Sequence, residues 1–158
     1  MLDDTHDRGR QSWVASANGH PEFPLQNLPL GVFSPPGCTI PDARPRGGMA
    51  IGDAVFDLRA ALDAGLLTGA AATAAEAASG DSLNPLMALG SGPRRALRQQ
   101  VSALLSSEGE AKTKAHAARL VHRASDCWLH LPARVGRAIT GTAVYFGRMV
   151  HRTSEFVP

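Results

Sequence analysis

The stretch GMAIGDAVFDL, residues 48–58, contains two short apolar runs on either side of the pair Gly52-Asp53. A glycine at the head of a two-residue turn readily takes the positive φ angle that a tight hairpin needs. The pattern therefore predicts a β-hairpin in which residues 48–51 pair with residues 54–56. Val55 and Phe56 then point to opposite faces of one strand.

A short helix is predicted immediately after this hairpin. The Asp57 carboxylate is placed to accept an orphan backbone N–H at the start of the helix. Leu58, Ala61 and Leu62 recur at helical spacing, and Gly65 is a suitable stop.

The segment before the hairpin is rich in proline and glycine but carries more apolar surface than a solvated linker needs. FPLQNLPLGVFSPPG, residues 23–37, predicts a brief strand at residues 30–33, LGVF, before an SPPG turn. Residues 1–21 are polar and unpatterned, and we expect them to be disordered. The apolar side chains that need a packing partner are Phe23, Leu25, Leu28, Leu30, Val32 and Phe33.

The second half of the chain is predicted to be helical. Residues 70–79, AAATAAEAAS, have helix propensity but no large anchoring side chain, which indicates a weak helix or a mobile connector. Asn84 and Pro85 are a suitable N-cap and first position for a short helix that ends at Gly90. A longer helix opens at Pro93, and an amphipathic helix is predicted over residues 112–125. The helix that opens at Pro93 has one apolar stripe, formed by Leu97, Val101, Leu104 and Leu105.

A final short strand is predicted in CWLHLP, residues 127–132, where Pro132 stops it. The order of elements, strands first and helices later, indicates an α+β fold.

Charge is distributed unevenly along the 158 residues, whose formal net charge is +2. Residues 1–110 carry eight basic and twelve acidic side chains, whereas residues 111–158 carry eight basic and two acidic ones. The arginines of the basic part are scattered and have few aromatic side chains between them, so we interpret it as a solvated face and expect no nucleic-acid partner. Nucleic-acid binding by residues 111–158 is the alternative, and it predicts an affinity that falls steeply with salt.

Composition also bears on the compartment. Two distant cysteines, no apolar run long enough for a membrane span and no apolar signal region favour a reduced, cytoplasmic setting without membrane association.

No catalytic motif stands out from the residues alone. GSGPRR, residues 90–95, starts like a phosphate-binding loop, but Arg95 occupies the third glycine position and Pro93 explains the pair as helix punctuation. His116 and His122 lie six residues apart and so cannot chelate one metal from one helix face; we interpret both as surface helix residues. Cys127 is interpreted as a small core residue, and His130 as the most interesting titratable group.

Four segments resemble the N-terminal region of fumarylacetoacetases. They are FPLQNLPLGVFS, the hairpin GMAIGDAVFDL with its helix, LNPLMALG at residues 83–90 and HLPARVG at residues 130–136, which occur in family order. The resemblance covers residues 22–136 and implies a small SH3-like β-barrel with attached helices. It implies that the proline-broken apolar stretch is the first barrel strand and the lead-in that covers it.

The resemblance ends after Gly136. In the family a DYTDFY-like motif follows, whose second aspartate ligates a divalent metal, calcium or magnesium, and whose tyrosine and a later histidine belong to the active site. Without gaps, Thr140, Thr142 and Gly147 stand at those three positions, and a neutral hydroxyl is a poor ligand for a hard cation. Tyr145 and His151 lie nearby but match only with gaps.

The resemblance thus implies an N-terminal domain separated from its catalytic domain. We expect residues 137–158 to be a divergent, loosely ordered tail, and the abrupt change to reflect a truncated or frame-disrupted gene product. The family hydrolyses 4-fumarylacetoacetate to fumarate and acetoacetate in tyrosine and phenylalanine catabolism. We expect this chain to have no catalytic or metal residues of its own and to be inert alone. The alternative is a stand-alone interaction module that binds a separately encoded catalytic chain or a full-length homologue.

Overall fold

The computed structural model describes residues 3–38 and 44–135. Within these residues one antiparallel sheet has the strand order β4-β3-β2-β1-β5. Helices lie mainly between β3 and β4 in the chain, so the predicted α+β class is confirmed. The strands are β1 (Leu30–Ser34), β2 (Arg46–Ile51), β3 (Ala54–Asp57), β4 (Val121–Arg123) and β5 (Trp128–His130).

The predicted hairpin is confirmed as β2 and β3. Met49 pairs with Phe56 and Ile51 with Ala54 across the turn. Gly52 has a φ of 53°, the left-handed region that favours glycine. A Cβ atom at Gly52 would also lie 2.4 Å from the Ser16 hydroxyl oxygen, so both the backbone angle and the space require glycine.

The sheet is curled. The strands β4 and β5 lie at opposite edges in the strand order, but only a 3-10 turn, Ala124–Asp126, and Cys127 connect them. Across a flat sheet of this size the edges would lie about 19 Å apart at ~4.8 Å per strand. A connection that contains a helical turn does not reach that far, so the edges bend toward each other as in a partly closed barrel.

Both faces of the sheet are buried, but in different surroundings. Val32, Met49 and Phe56 face the helices and belong to the main core. The opposite face carries Phe33 and Val55, which are also buried but stand outside that core cluster. Side chains of this second face pack over Gly48, where a Cβ would lie 2.7 Å from Val55 and 2.8 Å from the Phe33 ring.

Six α-helices are present in the described part of the chain. None of them has the length and apolar character that crossing a bilayer demands. They are α1 (Leu58–Asp63), α2 (Gly69–Ala77), α3 (Asn84–Ala88), α4 (Ser91–Leu105), α5 (Glu110–Thr113) and α6 (Ala117–Leu120). The apolar stripe predicted for α4 is confirmed, since all four of its members are buried.

The alanine-rich segment is a well-packed helix, and the predicted weak helix or mobile connector is wrong on this point. Ala71, Ala74 and Ala75 of α2 and the following Ala78 have no exposed surface. Small side chains let two helix backbones approach closely, so α2 needs no large anchor against α4. The segment is also tied to the sheet, because the Gly47 N–H donates to the Ala78 carbonyl at 2.7 Å.

The helix predicted over residues 112–125 is interrupted. Instead α5, a 3-10 turn at Lys114–His116 and α6 lead into β4, which the sequence analysis did not predict. The strand forms because β3 offers an open edge, with Val121 opposite Phe56 and His122 opposite Val55. Three residues are too few to show a strand pattern in the sequence.

Asn84 is not the cap of α3 that the sequence predicts. The helix includes Asn84 itself and has Leu83 at its N-cap, without a side-chain hydrogen bond. The Asn84 side chain instead donates to the Arg134 carbonyl at 2.7 Å and accepts the Arg134 N–H at 3.0 Å. It thereby fixes the chain that follows β5.

Residues 3–21 differ from the disordered extension that their composition predicts. Two 3-10 turns, Asp4–His6 and Ala15–Ala17, are formed, and Val14 and Ala17 are buried. The Ser12 hydroxyl donates to the Leu105 carbonyl at 2.6 Å, and the Trp13 ring N–H to the Leu104 carbonyl at 2.9 Å. Carbonyls at the end of a helix lack partners within it. The polar N-terminal segment is therefore held in place by hydrogen bonds to the C-terminal carbonyls of α4, which its composition does not reveal.

The proline-broken lead-in packs as a covering layer. Leu25 and Leu28 are buried in the main core. Its backbone also bonds to the hairpin, because the Gly52 N–H donates to the Phe23 carbonyl at 2.7 Å and the Ala50 N–H to the Pro29 carbonyl at 3.0 Å. The apolar side chains of this segment thus pack on the hairpin and the helices.

The expectations for residues 137–158, and for Thr140, Tyr145 and His151 in particular, lie outside the described residues.

Candidate functional site

His130, the titratable group that the sequence singled out, joins two strands. It lies on β5, and its Nε2 is 2.8 Å from the Ser34 hydroxyl of β1. Ser34 is completely buried, so its hydroxyl is closed to a substrate. The pair therefore holds the edge strand β5 against β1, which fits a structural role.

The other singled-out residues occupy different settings from those expected. His122 is not on a helix surface but on β4, where its side chain is only 15% exposed. Cys127 is half-buried, and its thiol lies 3.3 Å from the Arg123 carbonyl oxygen. Burial and then the nearby carboxylates of Asp126 and Asp57 raise the pKa of this thiol, which disfavours a nucleophilic thiolate.

The GSGPRR segment serves as helix punctuation, as predicted. Gly90 has a φ of 79° at the start of α4, and Pro93 lies in the first turn of that helix. The Arg94 guanidinium donates to the Gly90 carbonyl at 2.8 Å and so closes the turn.

A buried carboxylate that the sequence analysis assigned only to a helix cap organises a polar cluster on the second face of the sheet. Asp57 is fully buried and accepts from Arg46 Nη2 at 2.6 Å and from Arg46 Nε at 3.0 Å. It also accepts the Ala60 N–H at 3.0 Å, and His122 Nε2 lies 3.4 Å away. The cap is thus confirmed, but two more partners share the same carboxylate.

The environment of Asp57 keeps it ionised. Burial by itself raises the pKa of this carboxyl group, but the hydrogen bonds from His122, Arg46 and the Ala60 N–H outweigh it and leave the pKa below its ordinary value. No local pattern pointed to this cluster, because His122 lies 65 residues away in the chain.

The most conspicuous exposed surface is apolar and lies on the edge strand β5 and on the residues that follow it. We call the four side chains Trp128, Leu129, Leu131 and Val135 the apolar strip; their exposed fractions are 60%, 74%, 66% and 66%. Large apolar side chains that remain exposed in such number close together in the chain are a feature of interaction surfaces.

A second exposed apolar region lies on α3, whose start contacts the residues that follow β5. The Leu83 N–H donates to the Pro132 carbonyl at 2.7 Å, which lays the end of the strip along the start of α3. Met87 and Leu89, at the other end of this helix, are 50% and 38% exposed. Strand β5 is also the last strand in the order, with one edge that no described strand covers.

The divalent metal implied by the family resemblance does not fit the described residues. Across residues 3–38 and 44–135, His, Cys, Asp and Glu side chains nowhere gather in threes around a position for a cation. The buried Asp57 carboxylate is already occupied by a guanidinium and an imidazole. We therefore derive no chemical step from a metal in this domain.

Comparison with known proteins decides the family. The family model described as "Fumarylacetoacetase N-terminal" matches residues 26–132, which include all five strands and all six helices described above. The chain belongs to the fumarylacetoacetase N-terminal family. The resemblance of the four sequence segments is thereby confirmed.

Curated relatives agree with this assignment. Fumarylacetoacetase of Dictyostelium discoideum is 37% identical over 116 residues, which cover 72% of this chain and 26% of that protein. The human fumarylacetoacetase is 35% identical over 119 residues, 73% of this chain and 27% of that protein. That of Arabidopsis thaliana is 39% identical over 85 residues, 54% and 19% respectively. The chain thus matches between about a fifth and a quarter of the length of these relatives.

Proposed function

We propose that this fumarylacetoacetase N-terminal domain is a non-catalytic module that docks through its apolar strip onto a fumarylacetoacetase catalytic domain. The single observation that carries the proposal is the exposure of Trp128, Leu129, Leu131 and Val135 along an open sheet edge. Burial of one large apolar side chain stabilises a complex by roughly 1.5–3 kcal/mol, so four of them supply a substantial docking surface.

The architecture supports a scaffold role. We propose that the curled sheet is an SH3-like barrel. Its five short antiparallel strands are arranged in the order β4-β3-β2-β1-β5, and a 3-10 turn joins the two edge strands, β4 and β5. The helices inserted between β3 and β4 cover one face of this sheet. The Asp57 cluster holds the strands and α1 together on the other face, which makes the barrel a rigid base for the docking edge.

The chemistry belongs to the docked partner in this proposal. Curated fumarylacetoacetases extend over roughly four times the length that the chain matches, which leaves most of their residues for catalysis. The assembled protein would hydrolyse 4-fumarylacetoacetate to fumarate and acetoacetate, in the cytoplasm and with a divalent metal bound by the catalytic domain. In this proposal the N-terminal domain takes part in the breakdown of tyrosine and phenylalanine.

A second candidate function uses the same surface. The strip would equally well receive a separately encoded catalytic chain or a full-length homologue, in which case the domain is an interaction module. The open edge of β5 favours a partner that adds a strand, because unpaired backbone groups on an edge can pair with another chain.

The test is co-expression of the chain with the catalytic part of the Dictyostelium discoideum relative, the residues that follow its matched region. Size-exclusion chromatography with light scattering should show a complex with the wild-type chain. Leu129→Asp should weaken the complex at least tenfold, because a charge replaces an apolar side chain in the contact.

Ala70→Asp is the matched control, since Ala70 is exposed on α2 and the substitution adds the same single carboxylate away from the strip. It should leave binding unchanged. Circular dichroism of both variants must first show wild-type folding. Equal binding by wild type and Leu129→Asp, or no complex with any catalytic chain, would contradict the docking role.

A further inference from the structure

A second surface feature is a basic cleft between the sheet and two helices. A cavity of about 280 Å³ is lined by Arg46, Arg59, Arg119 and His122, with Ala60, Asp63 and Ala118 completing its wall. These residues come from four separate elements, β2, α1, α6 and β4, which together build one site. A neighbouring cavity of about 260 Å³ shares Ala60, Asp63 and Arg119 and extends the cleft toward His116.

The floor of the basic cleft holds one guanidinium in a fixed orientation. Arg46 directs Nε and Nη2 to the buried Asp57 carboxylate at 3.0 Å and 2.6 Å. Its remaining nitrogen, Nη1, has no hydrogen-bond partner among the described residues. The Arg46 side chain is still 23% exposed. Asp57 therefore holds Arg46 in place and leaves one N–H edge of the guanidinium uncommitted.

The rim of the cleft adds two more cations and only one anion. Arg59 donates to Asp63 at 3.1 Å, an exposed pair that leaves the Arg59 Nη groups without a hydrogen-bond partner within residues 3–38 and 44–135. Arg119 is exposed and makes no ion pair with the described part of the chain. Three guanidinium groups thus face two carboxylates, Asp57 and Asp63, and the cleft keeps a positive charge when its histidines are neutral.

We propose that the basic cleft binds a small oxyanion, a carboxylate or phosphate group, between Arg46 and Arg119. Guanidinium groups present paired N–H donors that match the oxygens of both groups, and such charge-assisted bonds are stronger than neutral ones. The volume admits a molecule larger than the anionic group alone. The residues that line this site are distinct from those of the apolar strip, and the proposal does not depend on the docking role.

The experiment uses the full chain and two probes at constant ionic strength, inorganic phosphate and succinate, with chloride as the background anion. Nitrogen-15 spectra follow the Arg46 Nε–H signal while each probe is titrated. Saturable shifts of this signal with phosphate, succinate or both support the site, and the probe that binds tighter identifies the anion class. Sodium chloride alone at the same ionic strength should produce no saturable shift.

Two exposed arginines provide the variants. Arg119→Gln removes a cation of the cleft that bonds to no described residue, so the fold is expected to persist, and it should weaken probe binding at least tenfold. Arg95→Gln removes an exposed cation of α4 and should leave the affinity within twofold of wild type. Identical weakening in both variants would show a nonspecific charge effect and overturn the proposal, as would the absence of saturation with either probe.

Discussion

Asp57 lies where a strand, a helix and an edge strand meet, and its two oxygens serve all three. It caps α1 through the Ala60 N–H, fixes Arg46 of β2 and contacts His122 of β4. A buried carboxylate without such partners would be strongly disfavoured, so the partners are what permit its position. The same three contacts connect the hairpin to the distant strand β4, which no local sequence signal specifies.

The first prediction concerns the acid sensitivity that Asp57 confers. Its pKa in the folded state lies below the ordinary value of 3.8. The ionised Asp57 carboxylate therefore contributes its full stabilisation of the fold above its ordinary pKa of 3.8, and this stabilisation is lost as the pH falls through the lower folded-state pKa. Asp57→Asn should lower the free energy of unfolding near neutral pH by about 1–3 kcal/mol, because the charged partners lose their carboxylate. It should also flatten the loss of stability below pH 4.

Urea denaturation at several pH values between neutral and the acid range measures both effects. Asp63→Asn is the control, because Asp63 is exposed and its pair with Arg59 contributes little. If Asp57→Asn and Asp63→Asn showed the same acid slope as wild type, the assignment of the acid sensitivity to Asp57 would fail.

At the scale of elements, the sequence predicts what is local and misses what depends on distant partners. The hairpin turn and the apolar stripe of α4 were predictable, because turn chemistry and helical periodicity act within a few residues. Strand β4 was not, since its three residues become a strand only against the free edge of β3. All members of the apolar strip except Val135 lie in CWLHLP, which the sequence predicts only as a short strand, because the sequence does not reveal which side of an edge strand stays uncovered.

The packing of α2 on α4 gives the second prediction. Ala74 has no exposed surface, and the alanine-rich face lets the two helices approach closely. Ala74→Leu adds volume where none is available and should lower the free energy of unfolding by about 1–3 kcal/mol. The midpoint of chemical denaturation should fall accordingly.

Ala70→Leu is the control for this change, since it adds the same side chain at an exposed position of the same helix. Its denaturation midpoint should stay close to that of wild type. Equal midpoints for Ala74→Leu and Ala70→Leu would show that α2 is loosely packed, as its composition alone suggests.

At the scale of the whole molecule, the two faces and the open edge of the sheet carry different features. One face builds the main core with the helices, and the other holds the Asp57 cluster beside the basic cleft. The edge strand β5 and the residues after it carry the exposed apolar strip, the surface proposed for docking. Family membership was predictable from four short segments; three of them contain β1, the β2–β3 hairpin with the start of α1, and α3, and the fourth begins at the last residue of β5. The surfaces themselves required the three-dimensional arrangement.

The last prediction follows from this division. The chain alone should not hydrolyse 4-fumarylacetoacetate, with calcium or magnesium present, because stabilisation of the developing negative charge by a metal requires a set of ligands that the described residues do not assemble. Loss of a single stabilising donor costs roughly 10²–10³ in rate, so a domain without the set should not exceed buffer. The assay follows the diketone absorbance with the chain in excess over substrate and with a chelator control. Turnover that persists after repurification and disappears with the chelator would place catalysis in this chain. It would direct attention to His130, whose bond to Ser34 holds it at the edge of the sheet, and to Tyr145 and His151 beyond the described residues.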